Sequence, residues 1–204
     1  MRIDDVKKVK PAKENVVVRK IELGKKDAIY LAPEDPMDYK NSPLTVSEVI
    51  SVGPLAGAET QCPGVAPGDK VIHNFFAGSH IATSDVSEIY KVLNGYSLMA
   101  FLDDIDNINE STARPASNRL LLAVKFIAET EDGLYLSQKE ASDPRLEDLA
   151  YGVIIKMGPS CKLGYNVGDI VAYPPYAGEE IRSAESTGVP ALRVLIEEDV
   201  LLTI

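Results

Sequence analysis

Cysteine is nearly absent from this chain: Cys62 and Cys161 are the only two in 204 residues. Two thiols cannot build a disulfide framework or a four-ligand zinc site. The expectation is a pair of unpaired thiols in a reducing compartment, since a bridge would need their two loops to meet in space. Histidine is as scarce, and His73 and His80 lie close together in one half of the chain. Their counterparts in the other half are Tyr173 and Glu180, so they read as ordinary histidines. G-x-S-x-G, Walker A and G-x-G-x-x-G patterns are all missing, and with them any handle for hydrolase, P-loop or dinucleotide chemistry. We therefore expect no enzymatic activity, no metal and no cofactor. No apolar run approaches the ~18 residues of a membrane-spanning helix. A basic surplus is missing as well: the net charge is −10, which disfavours nucleic acid and reads as solubility. Met1–Lys10 is charged without an apolar core, so neither a secretory signal nor a transit segment is expected. That points to the cytoplasm, with an organelle stroma or a viral origin left open.

What the chain has is a duplication. Val65–Ile81 reads VAPGDKVIHNFFAGSHI and Tyr165–Ile181 reads YNVGDIVAYPPYAGEEI. The match extends outward. Pro11-Ala12 corresponds to Pro115-Ala116, Val16–Val18 to Leu120–Leu122, and Gly53-Pro54 to Gly158-Pro159. Tyr90–Leu102 corresponds to Leu192–Ile204, and offsets stay between 99 and 105 throughout. Such a period is a domain length and too long for a solenoid repeat. The composition, 45% hydrophobic and 25% charged, is that of ordinary globular domains.

Both halves read as strand. Asn15–Lys20, Glu48–Val52, Lys70–Ile72, Tyr90–Leu93 and Leu98–Leu102 are short apolar or β-branched runs bounded by turn residues. Arg119–Phe126, Gly152–Lys156, Ile170–Tyr173, Arg193–Ile196 and Val200–Ile204 repeat the pattern. Asn94-Gly95 reads as a hairpin turn with positive φ at both central residues. Its counterpart Glu197–Asp199 lacks glycine and is expected to turn differently. Gly68-Asp69 and Gly168-Asp169 read as structural turns, glycine supplying the conformation and aspartate bonding nearby backbone N–H groups. Gly78 and Gly178 read as corner glycines. Ala32–Val46 reads as an irregular loop and Asp143–Leu149 as one or two helical turns at most. Asp103–Ala116 is polar and reads as a linker. The division expected is a first domain at residues 1–106, a linker at 107–116 and a second domain at 117–204.

The ordered set of pieces resembles the GroES-type co-chaperonin family in each half. The pieces are VVVRK, EVISVGP, PGDKV and FAGSHI in the first half. In the second they are YGVIIKMGP, YNVGDIV, PPYAGEEI and RVLIEEDVLLTI. Single pieces are weak, but the set in order, twice, spans nearly the whole chain outside the linker. The resemblance implies an all-β chain of two tandem GroES-like small β-barrels. It implies a function too: capping an ATP-driven, GroEL-type chaperonin ring and assisting protein folding, with ATP bound by the partner and unfolded substrates met indirectly.

In that family the contact is an apolar triplet at the end of a mobile loop. Here the charged loops Gly24–Ala28 and Glu129–Gly133 precede Ile29-Tyr30-Leu31 and Leu134-Tyr135-Leu136, which the resemblance makes chaperonin-binding hooks. The middle tyrosines depart from the small residue usual there, and the flanking Ile29, Leu31, Leu134 and Leu136 are the ones expected to insert. Each buried aliphatic side chain contributes ~1.5–3 kcal/mol, so one hook binds weakly and several on one ring add through effective concentration. A homo-oligomeric ring of roughly three or four chains is expected. The short second-half segment Ser160–Val167 implies a partial or open roof. The alternative is a non-catalytic structural or virion-assembly protein that reuses the barrel.

Overall fold

The structure is a computed structural model, and it describes residues 5–21, 44–84, 87–124, 149–181 and 192–203. The described residues form two antiparallel sheets and three single 3-10 turns, so the chain is all-β. The first sheet holds β1 (Asn15–Lys20), β2 (Leu44–Val52), β3 (Lys70–Asn74), β4 (Ser79–Ile81), β5 (Tyr90–Asn94), β6 (Leu98–Leu102) and β7 (Ala113–Pro115). Its strand order is β4-β5-β1-β2-β3-β6-β7. The second holds β8 (Arg119–Val124), β9 (Ala150–Met157), β10 (Ile170–Tyr173), β11 (Glu179–Ile181), β12 (Leu192–Ile196) and β13 (Leu202–Thr203). Its order, β11-β12-β8-β9-β10-β13, repeats that of the first six strands. The ladders are open among the described residues: no pairing joins β4 to β6 or β11 to β13 there, and a closed barrel is not shown.

The duplication reaches the backbone. β1–β2 slips register between Val17 and Val18, and β8–β9 slips between Leu121 and Leu122. Lys13 (φ 52°) and Ser117 (φ 53°) are the only positive-φ residues other than glycine among those described. Gly68 and Gly168 turn at φ 95° and 101°. Beside them Asp69 and Asp169 accept from the backbone N–H groups of Ala66 and Asn166, both at 2.8 Å. Gly78 and Gly178 (φ 74° and 68°) pass so near β5 and β12 that a Cβ would lie 2.2 Å from the Val92 carbonyl oxygen and 2.3 Å from that of Val194. Only glycine fits such a corner.

Several expectations are corrected. β2 starts at Leu44, so Leu44, Thr45 and Val46 belong to a strand and not to the irregular loop expected through Val46, and all three are buried. Asn94-Gly95 is not a hairpin turn. Asn94 has φ −71°, and its side chain accepts from Tyr96 N to open a 3-10 turn over Gly95–Ser97. The reason is topological: β5 pairs with β1 and β4 while β6 pairs with β3 and β7, so the chain crosses between non-adjacent strands there. Glu197–Asp199 turns the same way, without glycine. Glu197 is buried, and its carboxylate accepts from Lys162 N at 2.8 Å and Leu163 N at 3.1 Å. The polar stretch after β6 is more than a tether. It carries β7, which pairs with β6, and Ile108 packs into the core. Of the short helical stretch expected after the second charged loop, residues 143–148 lie outside the described residues.

Each sheet curls around a core of its own. Val16, Val18, Val49, Val71, Leu93 and Leu98 fill the first; Leu120, Leu122, Ile154, Val171, Tyr173 and Leu195 fill the second. A third cluster lies between the halves. Leu44, Val46, Ile72, Met99, Leu102 and Ala113 from the first half meet Leu121, Ile181, Leu192 and Val194 from the second. The apolar residues of β1 and β8 therefore do not alternate with solvent-facing ones. Val16–Val18 and Leu120–Leu122 are all buried, odd members on one face and even members on the other.

Candidate functional site

The six expected hook residues, Ile29, Tyr30, Leu31, Leu134, Tyr135 and Leu136, lie outside the described residues. Their roots are described. Lys20 pairs with Ser47 across β1–β2, and Val124 pairs with Gly152 across β8–β9. Residues 22–43 and 125–148 thus leave and return at corresponding ends of corresponding strand pairs. The two roots differ in chemistry. At the first, Arg19 bridges Glu48 (2.5 Å) and Glu88 (2.7 Å), and Lys70 joins Glu48 at 3.0 Å. Lys70 and then Arg19 hold the Glu48 carboxyl below its ordinary range. The corresponding positions in the second half, Ala123, Val153 and Ile170, are apolar and half-buried.

Around the apolar cluster between the halves runs a polar rim. Asn74 Nδ2 donates to Glu179 Oε1 at 3.1 Å. Arg119 Nη2 donates to Tyr96 O at 2.7 Å, with its guanidinium 4.8 Å from the Tyr96 ring centroid. Lys156 Nζ donates to Ser111 O and Ala113 O at 2.8 and 2.9 Å. A cleft of about 390 Å³ opens on this seam, bounded by Asn74, Tyr96, Arg119, Tyr176, Glu179 and Asp199 among others. Burial pushes both carboxyls up, Glu179 and Asp199, and pushes the Arg119 guanidinium down. Neither histidine, lysine nor cysteine is among the described residues lining it.

The two cysteine loops do approach each other. Ser160 Oγ donates to Glu59 O at 2.5 Å, and Lys162 pairs with Glu59 at 2.7 Å. Even so, both thiols are free, Cys62 in the first core and Cys161 against the second. Burial pushes Cys62 up to about 12 and Cys161 to about 11, which leaves both poor nucleophiles at neutral pH. His73 is fully buried. Asn74 O can only accept, so Nδ1–H donates to it (2.8 Å) and Nε2 accepts from Ser47 Oγ (2.9 Å). Burial pushes its pKa down to about 4, keeping it neutral and structural. No group of three or more metal-ligating side chains occurs among the described residues. Nor is any helix among them long and apolar enough to cross a membrane.

Sequence reasoning missed the surface between the halves. Its signal was present: an unbroken apolar triplet in a short strand marks both faces as covered, and β1 and β8 each carry one. The chain matches no protein-family model.

Proposed function

We propose that this chain is a double-domain co-chaperonin of the GroES type. It caps an ATP-driven, GroEL-type chaperonin ring through apolar triplets carried on its two long loops. The carrying observation is that residues 22–43 and 125–148, which include Ile29-Tyr30-Leu31 and Leu134-Tyr135-Leu136, connect the strands of equivalent pairs, β1–β2 and β8–β9. One chain thereby carries two copies of one device. The fully buried His73 is held neutral and the Cys62 and Cys161 thiols are pushed up by burial, so this reading assigns those three side chains no chemistry. ATP turnover belongs to the partner, non-native substrate is met only inside the closed chamber, and several copies close a ring in the cytoplasm.

Leu31→Asp with Leu136→Asp tests this reading. A charge does not enter an apolar groove without a cost of several kcal/mol, so capture by an ATP-loaded chaperonin is expected to vanish while the circular dichroism of both sheets stays unchanged. Capture that persists in the double variant refutes the hooks. A wild-type chain that ignores chaperonin with and without ATP favours the second reading, a structural or virion-assembly component, which the exposed Leu201 and Leu202 also suit.

A further inference from the structure

Three charged side chains bound the cleft on the seam, Arg119, Glu179 and Asp199, and none of them is paired with an opposite charge. Arg119 is only 6% exposed. Its Nη2 donates to Tyr96 O at 2.7 Å and its guanidinium lies over the Tyr96 ring, but Nη1 is buried without an acceptor. Glu179 Oε1 accepts from a neutral amide, Asn74 Nδ2. Arg193 acts on Glu179 from a distance, while its Nη1 is taken up by Pro175 O and Ala177 O. Asp199 ends the 3-10 turn Glu197–Asp199, where the charge acting on it is that of Glu198, of its own sign. None of the ion pairs among the described residues includes Arg119, Glu179 or Asp199. Burial is the first cause of the shift in all three, as expected of charges drawn out of water without a counter-ion.

The duplication shows that the fold does not require these charges. Arg119 corresponds to Asn15, Glu179 to Ser79 and Asp199 to Ser97. The first half builds the corresponding strands and the corresponding 3-10 turn with neutral residues at all three places. The charges therefore belong to this cleft and not to the scaffold, and an uncompensated buried charge is a cost that calls for something to offset it. The rest of the wall is apolar or aromatic. Met99 and Val194 lie deep in it at 8% and 1% exposed, while Tyr96 and Tyr176 are exposed at its opening. Its volume of about 390 Å³ falls at the small end of the ~300–1,000 Å³ typical of small-molecule sites.

We infer that the cleft binds a small zwitterion, an α-amino acid with an apolar side chain. Arg119 takes its carboxylate, Glu179 and Asp199 take its ammonium, and the side chain lies against Met99, Val194 and Ile196. Tyr96 O already holds Nη2, so the Nη1 side of the guanidinium is what remains for the carboxylate, in a charge-assisted bond. The two signs of charge make the site selective. A plain carboxylic acid meets Glu179 and Asp199 as like charges, and a plain amine meets Arg119 as one; only a ligand carrying both charges is complementary at both ends. Asn74, Tyr96 and Met99 come from the first half and Arg119, Glu179 and Asp199 from the second, so the bound ligand bridges the halves and stabilises the seam by mass action. This site goes beyond the capping function proposed above and does not depend on it.

Isothermal titration calorimetry of the full chain tests this with leucine, methionine and phenylalanine as probes. At least one is expected to give saturable heat with a Kd of roughly 1 mM or tighter. For leucine the two controls are 4-methylpentanoate, which lacks the ammonium, and 3-methylbutylamine, which lacks the carboxylate; phenylalanine and methionine have the corresponding acid and amine. Each control is expected to bind at least about tenfold more weakly than its amino acid. Asp199→Asn with Glu179→Gln is expected to weaken the amino acid at least about tenfold while leaving the acid control no weaker than before. The controls act on the unaltered protein, so they decide the matter should the double variant fail to fold. No saturable heat from any of the three amino acids overturns the site. An acid or amine that binds as tightly as its amino acid overturns the zwitterion, and a folded double variant of unchanged affinity overturns the role of the two carboxylates. Chaperonin takes no part in this assay, so its outcome and that of the hook test are separate results.

Discussion

The apolar cluster between the halves makes a quantitative demand on unfolding. Leu121 is fully buried, and its side chain belongs to the cluster formed with Leu44, Val46 and Ile72 of the first half, not to the core of its own sheet. Its neighbour Leu120 is equally buried but belongs to the second half's own core. Truncating a fully buried leucine costs ~2.7–5 kcal/mol, and for Leu121→Ala that loss falls on the contact between halves. Single tryptophans at Phe76 and Tyr176, exposed at 68% and 82% in corresponding turns, report on each half without touching a core. In urea, the parent is expected to give coincident transitions at both reporters, because neither half keeps the shared cluster dry alone. Leu121→Ala is expected to lower the midpoint at the Phe76→Trp reporter as well as at Tyr176→Trp, although the substitution sits in the second half. A Phe76→Trp transition that Leu121→Ala leaves in place, while the other moves, refutes the coupling.

The remaining expectations are narrower. His73 has a folded pKa of about 4 against an ordinary 6.5, so the unfolded chain binds the extra proton. Its neutral burial contributes fully above pH 6.5 and is lost as pH falls toward 4, about 3 kcal/mol in all. His73→Gln is expected to flatten the stability profile across that window in pH-dependent urea titrations, and an unchanged slope counts against the assignment. Glu48, held low by Lys70 and Arg19, adds a loss that begins only below its ordinary 4.5, which separates the two. Gly178→Ala is expected to cost clearly more than Gly168→Ala. Both carry positive φ, a strain of ~1–3 kcal/mol for a side chain, but only at Gly178 does the new Cβ meet a carbonyl oxygen, at 2.3 Å, while Gly168 faces open space. Equal thermal midpoints for the two variants remove the close-approach explanation.

The repeat, the all-β character and the turn chemistry at Gly68-Asp69 and Gly168-Asp169 were determined by sequence alone. These are local properties: a β-branched run prefers the pleat, and a glycine followed by aspartate closes a tight turn wherever it is placed. The glycine corners at 78 and 178 were legible for the same reason, although the carbonyls they approach were not. Asn94-Gly95 misled because its local preference for a hairpin was overridden by topology, β5 and β6 having different neighbours. The start of β2 was hidden because Leu44-Thr45-Val46 follows a Pro- and Asp-rich stretch, and it is the pairing with β3 and the burial of Leu44 and Val46 in the cluster between the halves that make it strand. The candidate hooks were legible as apolar triplets after charged loops, and the tertiary structure fixes only the strand ends that carry them. What the third dimension alone decided is where each apolar face goes. Val17 and Leu121 occupy the same place in the same repeat, yet one is covered by a short turn of its own chain and the other by an entire half-molecule. That difference arises from contacts far apart in sequence, which no residue pattern within one repeat encodes.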